Sequence, residues 1–286
     1  MLRMSFLGEQ AIIDDQAGSV QARSSRAVAL VAFLVVHAES PQPRQRIAGL
    51  LWPESTDAQA LTNLRRELHH LRQVLGDEAS LVVTPRDLCW RDTKTCRVDV
   101  RVFDNERKAA LAAAGDDDGI LVHAAAAIAA YRGDLLPGSY DAWVLDARSQ
   151  LERQCVDLCD LLCAARTRAG DLTGAVEAAR RRVQLQPLEE VGSRTLMELQ
   201  ADLGDRAGAI STYHHCASVL ERELGVTPDP ATREAFQRLM AQGRPATRSA
   251  AVLAWARPAW WRRWPRRHGC RAQWLRPLSA SGQRDG

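Results

Sequence analysis

Of the 286 residues, those best suited to chemistry are gathered in one segment, PESTDAQALTNLRRELHHLRQVLGDE, residues 53–78. Gln59, Thr62, Asn63, Arg66, His69, His70 and Gln73 would share one side of a helix at 100° per residue, with Arg65 and Arg72 on its flank. That side is rich in amides, guanidiniums and imidazoles and poor in negative charge. It suits duplex recognition: amides and arginines read base edges in the major groove, while arginines and hydroxyls hold phosphates. Gln59, Thr62, Asn63 and Arg66 are assigned to base edges, Arg65 and His69 to phosphates, and His70 to the same DNA-binding face. A solvated polar face has the same composition, so context must separate the two. Catalytic patterns are missing from the sequence, which has no Gly-rich nucleotide loop, no HExxH pair and no nucleophile elbow. His69 and His70 are adjacent, point about 100° apart, and cannot chelate as an i, i+4 pair does. Neither an enzyme nor a cofactor or metal site is expected.

The elements that would position this face are legible. Thr56 and Gln59 have capping-box spacing, so a helix should begin near Asp57, and Gly76 is placed to end it. Leu61, Leu64, Leu68, Leu71 and Leu75 form one apolar stripe within about 80° of arc on the side opposite the polar face. After it, SLVV, a TPRD turn and LCWRD read as a β-hairpin with Arg86 and Arg91 at or next to its tip, both assigned to DNA phosphates. Before it, Met4, Phe6 and Leu7 open a strand, Ala11 to Ile13 form a second, and 14–19 are a turn. A helix over 26–37, apolar nearly all round, comes next. Ser40, Pro41 and Pro43 interrupt the chain, and RQRIAGLLW is a short helix that Pro53 ends. Helix, short helix, long helix and hairpin is the order of a winged helix.

The run LVAFLVVHAESPQPRQRIAGLLWPESTDAQALTNLRRELHHLRQVLG resembles the DNA-binding half of the SARP family, bacterial activators with a response-regulator-type winged helix. The specific parts are the Leu51-Trp52-Pro53 step and the Asn63-Leu64-Arg65-Arg66 run. The family commonly has Ser or Thr capping the short helix where Pro43 stands here, which bears on where that helix starts. Promoter DNA as partner is what the resemblance implies.

From Asp104 onward the pattern is helical, with no strand signal. Asp99 is placed to cap a helix through 114, GDDDG at 115–119 is a loop, and 120–131 is another helix. In YRGDLLPGSYDAW, residues 131–143, Gly133, Pro137 and Gly138 mark a turn, with Leu135, Leu136 and Trp143 as packing anchors. Gly170-Asp171 with Ala175 recurs 34 residues later as Gly204-Asp205 with Ala209, and Pro187 falls where a helix pair should close. That is the tetratricopeptide period, in which stacked helix pairs share a core none could bury alone. Cys155, Cys159 and Cys163, four residues apart, read as reduced packing residues on one helical face. YRGDLLPG…W, QPLEEVGSRTLMELQADLGDRAGAISTY and LERELGVTPDPATREAFQRL resemble the bacterial transcriptional activator domain, which follows the winged helix in SARP proteins. Together the two resemblances cover about residues 1–240, and they imply contact with RNA polymerase.

Composition sets the frame. Hydrophobic residues at 46% and charged residues at 26% describe a globular chain with room for two domains. Residues 1–107 hold 14 basic and 14 acidic side chains, 108–243 hold 14 and 20, and 244–286 hold 10 and 1, so most of the basicity sits in the tail. A winged helix without net charge should hold DNA weakly alone and gain from two linked half-sites, hence the expectation of a homodimer on DNA. The apolar run over 27–38 is too short to span a bilayer and reads as a buried helix, giving a cytoplasmic chain with no membrane partner. The expected architecture is mainly α with a small β component. It comprises an N-terminal winged helix-turn-helix DNA-binding domain over 1–103 and a tetratricopeptide-like helical bundle, the bacterial transcriptional activator domain, over 104–243. An Arg/Trp-rich tail over 244–286 is expected to be disordered or non-native, since Arg, Trp, Pro and Ala are what GC-rich DNA yields in a shifted frame. A competing function is an interaction module of tetratricopeptide type whose winged helix docks on protein instead of DNA.

Overall fold

The computed structural model describes residues 1–14, 18–19, 25–38, 40–76 and 78–242, so the tail over 244–286 and residues 15–17 of the 14–19 turn lie outside the described residues. The chain opens with β1 (Leu2–Ser5), antiparallel to β2 (Ala11–Asp14), which pairs with the short β3 (Gly18–Ser19). Leu2 and Met4 are buried while Arg3 is exposed, the period-2 alternation of a sheet covered on one face. Next, α1 (Ser25–Val36) buries Ala27 and every residue from Ala29 to Val35, as its all-round apolar sequence requires. β4 (Gln42–Pro43), α2 (Arg44–Leu51), α3 (Asp57–Leu75), β5 (Leu81–Val83), β6 (Asp87–Trp90) and β7 (Cys96–Val98) follow. β7 returns parallel to β1, completing a sheet of order β3-β2-β1-β7, and the second sheet has order β4-β6-β5.

The interruption at Ser40, Pro41 and Pro43 contains a strand the sequence did not reveal. Gln42 pairs with Leu88 and Pro43 with Asp87, which puts a proline on the outer strand of the small sheet, where a missing N–H costs no ladder bond. Pro43 then stands as the N-cap of α2 without a side-chain cap bond.

The described residues from Asp99 onward are mainly helical: α4 (Asp99–Ala112), α5 (Asp117–Ala130), α6 (Ala142–Arg168), α7 (Leu172–Leu185), α8 (Glu190–Asp202), α9 (Arg206–Leu224) and α10 (Pro230–Gln242). The described residues are thus mainly helical with two small sheets among them, and the 103/104 division drawn from the sequence falls inside α4. Two local expectations fail here. Asp99 does not cap its own helix from outside; it is the first residue of α4, and its Oδ2 accepts the backbone N–H groups of Phe6 and Leu7. The GDDDG loop is shorter than expected because Asp117 and Asp118 already form the first turn of α5, where carboxylates complement the positive end of the helix dipole.

The 34-residue repeat is carried by matched caps. Asp171 accepts from Gly174 N and Asp205 from Gly208 N, each at 2.9 Å, and Gly170 and Gly204 hold φ of +79° and +84°, a region open to glycine at little cost. Ala175 and Ala209 are fully buried at the close approaches. Leu135, Leu136 and Trp143 anchor the 131–143 turn, and Cys155, Cys159 and Cys163 are buried free thiols packed in the core.

One apolar cluster runs without a break from Leu2 and Phe6 through α1 and α3 to Leu196 and Leu199, and a smaller one joins Met197, Ala209, Ala235 and Leu239. The sheet end and the 131–143 turn are stitched together: Leu136 N donates to Phe6 O at 2.8 Å, Gly8 N to Asp134 O at 2.9 Å, and Arg26 pairs with Asp141 at 3.1 Å. Gly8 has φ +85°, and a Cβ there would sit 3.1 Å from the Arg132 carbonyl carbon, so the seam requires glycine.

Candidate nucleic-acid interface

Local sequence sets both ends of α3. Thr56 Oγ1 accepts from Gln59 N at 3.4 Å, and Gly76 closes the helix at φ +57°. The reciprocal half of the capping box is absent, because the Gln59 side chain instead donates to Asn63 Oδ1 at 3.2 Å. With a cap bond this long, Thr56→Ala should lower stability by about 0.5–1 kcal/mol. Urea unfolding of the full chain would show it as a lower midpoint at unchanged slope.

Leu64, Leu68, Leu71 and Leu75 are buried and Leu61 is half-buried, so the stripe faces the core as its spacing requires. On the other side Gln59, Thr62, Arg65, Arg66, His69, His70, Arg72 and Gln73 are exposed and Asn63 is half-buried. The structure therefore brings the predicted residues of this helix together on one accessible face. Neighbours one turn apart support each other: Thr62 Oγ1 donates to Ala58 O at 2.9 Å, and Gln73 Nε2 lies 3.3 Å from His69 Nε2.

Glu67 is the residue that the sequence reading passed over. It is the only carboxylate between 58 and 75, and it is 4% exposed. Its carboxylate lies 3.9 Å from Arg66 Nε and 3.7 Å from His70 Nδ1, and Oε2 has no hydrogen-bond partner. The signal was present in the spacing, since Ala60 and Glu67 extend the leucine stripe along its edge by i, i+7. With Glu67 turned inside, the outer face of α3 beyond its first turn carries hydrogen-bonding groups and positive charge with no carboxylate to repel a phosphate.

The hairpin places its two arginines differently. Arg86 is exposed in the turn, where Thr84 Oγ1 accepts from Arg86 N and Asp87 N. Arg91 is not at the tip. The register pairs Val83 with Leu88 and Leu81 with Trp90, and Arg91 N donates to Ser80 O, so Arg91 is exposed at the open end of the hairpin. At about 3.4 Å per strand residue it stands roughly 15 Å of strand away from the turn. Arg44 is the missed neighbour of that turn. Its backbone N donates to Arg86 O at 2.9 Å and its Nη1 to Thr84 O at 3.3 Å, tying the start of α2 to the hairpin tip.

Among the described residues no cluster of three or more metal-binding side chains occurs, and no helix is long and apolar enough to cross a membrane. The family model for the bacterial transcriptional activator domain matches residues 98–240, half of the chain. This bears out the resemblance drawn from the sequence for that region. Among solved structures the chain is similar to Mycobacterium tuberculosis EmbR in complex with low affinity phosphopeptide, with a TM-score of 0.64 at 21% sequence identity. The likeness covers 85% of this chain and 66% of that one, so this chain spans just under two thirds of the relative's length, and at such identity the likeness speaks for the fold. No match was found among curated proteins.

Proposed function

The chain belongs to the bacterial transcriptional activator domain family, and from that premise we propose that it is a SARP-type, sequence-specific DNA-binding activator. In this reading residues 1–98 form a winged helix-turn-helix in which α3 enters the major groove and the β5–β6 hairpin lies on the backbone. Gln59, Thr62, Asn63 and Arg66 read base edges, while Arg65, His69, His70 and Arg86 hold phosphates. Arg91, at the far end of the hairpin, contributes at most to the outer backbone. The tetratricopeptide-like helices govern assembly as a dimer on two half-sites and contact RNA polymerase; the protein acts in the cytoplasm and catalyses nothing.

The observation that carries this reading is the exposed, carboxylate-free face of a helix whose opposite stripe is buried. It is tested by titrating promoter DNA from beside the gene with the wild-type chain and with Arg65→Ala/Arg66→Ala. Both side chains are exposed, so the melting temperature should stay within a degree or so of wild type. Affinity should fall by about 100-fold or more, with a shallower dependence on salt. Wild-type affinity in the double variant would overturn the DNA reading and favour a winged helix that docks on protein. One chain per operator at saturation would overturn the dimer.

A further inference from the structure

The two units of the 34-residue repeat differ at one place. In the first, Arg166 of α6 reaches over the cap of α7 and lies 3.8 Å from Asp171 and 3.5 Å from Glu177, and a Cβ on Gly174 would meet its guanidinium. The positions 34 residues on are Gln200, Asp205, Gly208 and Ser211, so the cap is kept while the guanidinium becomes an amide and the second carboxylate a hydroxyl. The ion pairs of the first unit have no counterpart there. In their place lies a cleft of about 550 Å³ between α7 and α9, a volume suited to a small molecule. Gln200 lines it and is only 4% exposed. Its Oε1 accepts from Thr212 Oγ1 at 2.8 Å, whereas its Nε2 has no hydrogen-bond partner among the described residues and is covered only by Gly208, where a Cβ would come within 2.9 Å of it. Asp205 gives Oδ1 to the Gly208 amide at 2.9 Å, and its Oδ2, the atom that Arg166 approaches in Asp171, has no partner among the described residues. On the α7 wall Arg180 is exposed and has no acidic partner among the described residues. Val183 and Leu196, both buried, give the cleft an apolar floor.

We propose that this cleft binds a small zwitterion with an apolar body, an amino acid in chemical class. Its ammonium takes the place at Asp205 that the Arg166 guanidinium holds at Asp171, Arg180 and Gln200 Nε2 donate to its carboxylate, and its side chain covers Val183 and Leu196. Each end of such a ligand meets a group of opposite charge, so neither leaves water unpaired. No residue of α3 lines the cleft, so the site stands apart from the DNA reading and does not depend on it.

The test is a melting series on the full chain with L-leucine and with L-phenylalanine. Glycine, which lacks the apolar body, controls for general solute effects, and 4-methylpentanoate and 3-methylbutylamine are leucine without its ammonium and without its carboxylate. The proteins are wild type, Arg180→Gln, and Gln200→Arg/Ser211→Glu, which rebuilds the ion pairs of the first unit. A saturable rise in melting temperature is expected with at least one of the two amino acids and not with glycine. Removing either charge from leucine, or Arg180 from the protein, should weaken the apparent affinity by about tenfold or more, and the rebuilt variant should not respond. No saturable rise with either amino acid, a rise that glycine reproduces, or a full response to a singly charged analogue each overturns the proposal. So does an undiminished response in Arg180→Gln or in the rebuilt variant; should the rebuilt variant not fold, Arg180→Gln decides alone.

Discussion

Replacing Phe33 with Ala should destabilise the protein by about 3–5 kcal/mol and lower its melting temperature by roughly 10 °C. Phe33 is 1% exposed in α1, and its ring meets Trp143 of α6 edge-on at 5.3 Å between centroids. It also lies against the tilted His37 ring at 4.3 Å, and through Trp143 the same ring joins the first helix to α6. Deleting it removes a large apolar transfer term and leaves a cavity that α1, buried along nearly its whole length, is poorly placed to close. Phe33→Leu, which keeps most of the volume, should cost distinctly less. Because the apolar cluster runs unbroken from β1 to α8, the loss should appear in both halves at once. Differential scanning calorimetry of the full chain would show a single transition moved down. Two transitions, with only the first moved, would mean that the halves melt independently and that the shared core is not cooperative.

The same continuity bears on how the family domain could influence the helix that faces DNA. α1 packs against α3 through the cluster and against α6 through Phe33 and Trp143. Arg101, 5% exposed in α4, makes ion pairs to Asp92 at 2.9 Å and Asp104 at 3.1 Å, so the segment just after the β5–β6 hairpin is fastened to the first helix of the family domain. Burial raises the Asp92 carboxyl, but the bonds from Arg101 and Asn105 outweigh it and hold the group below the usual carboxylate range. Any change in the helical half therefore has two packed routes to α3 and its hairpin.

How much of this was legible follows from the range of the interactions. The ends and the buried stripe of α3 could be read because their signals are local: a threonine cap, an i, i+3, i+7 stripe and a terminal glycine all lie within twenty residues or so. The repeat was legible for the same reason, since each Asp-x-x-Gly cap closes on itself within one turn. The failures are non-local. The Gln42–Pro43 strand is two residues long and exists only because Leu88 and Asp87 lie beside it. Arg91 was misplaced because hairpin composition does not fix where pairing stops, and here it runs on to Leu81 and Trp90. Glu67 was overlooked because its charge argues for the surface while its position on the helix argues for the core, and position prevailed.

Asp99 is the residue where local and long-range readings differ most, and Asp99→Ala should cost about 2–4 kcal/mol. Its Oδ2 accepts Phe6 N at 2.8 Å and Leu7 N at 2.9 Å, and its Oδ1 accepts Val100 N at 2.7 Å. Phe6 and Leu7 are fully buried where the chain leaves β1, and the same carboxylate that starts α4 thereby closes the backbone of a segment more than ninety residues earlier. Alanine would strand both amides in the core, and each orphaned donor costs more than the bond it loses. Asn at 99 keeps an oxygen for Phe6 and Leu7 but turns an amide N–H₂ toward Val100 N, so Asp99→Asn should lose only about 1 kcal/mol. Burial pushes the Asp99 carboxyl above the usual carboxylate range, with the Leu7, Phe6 and Val100 amides pulling the other way. A raised folded-state value means that the contribution of this group is fully present below the unfolded value and is lost as pH rises through the folded one. The gap between wild type and Asp99→Asn should therefore narrow as pH rises through that window, measured by urea midpoints at several pH values. A gap independent of pH would show that the group titrates alike in both states, and an Asp99→Ala variant as stable as wild type would show that water, not Asp99, satisfies the two amides.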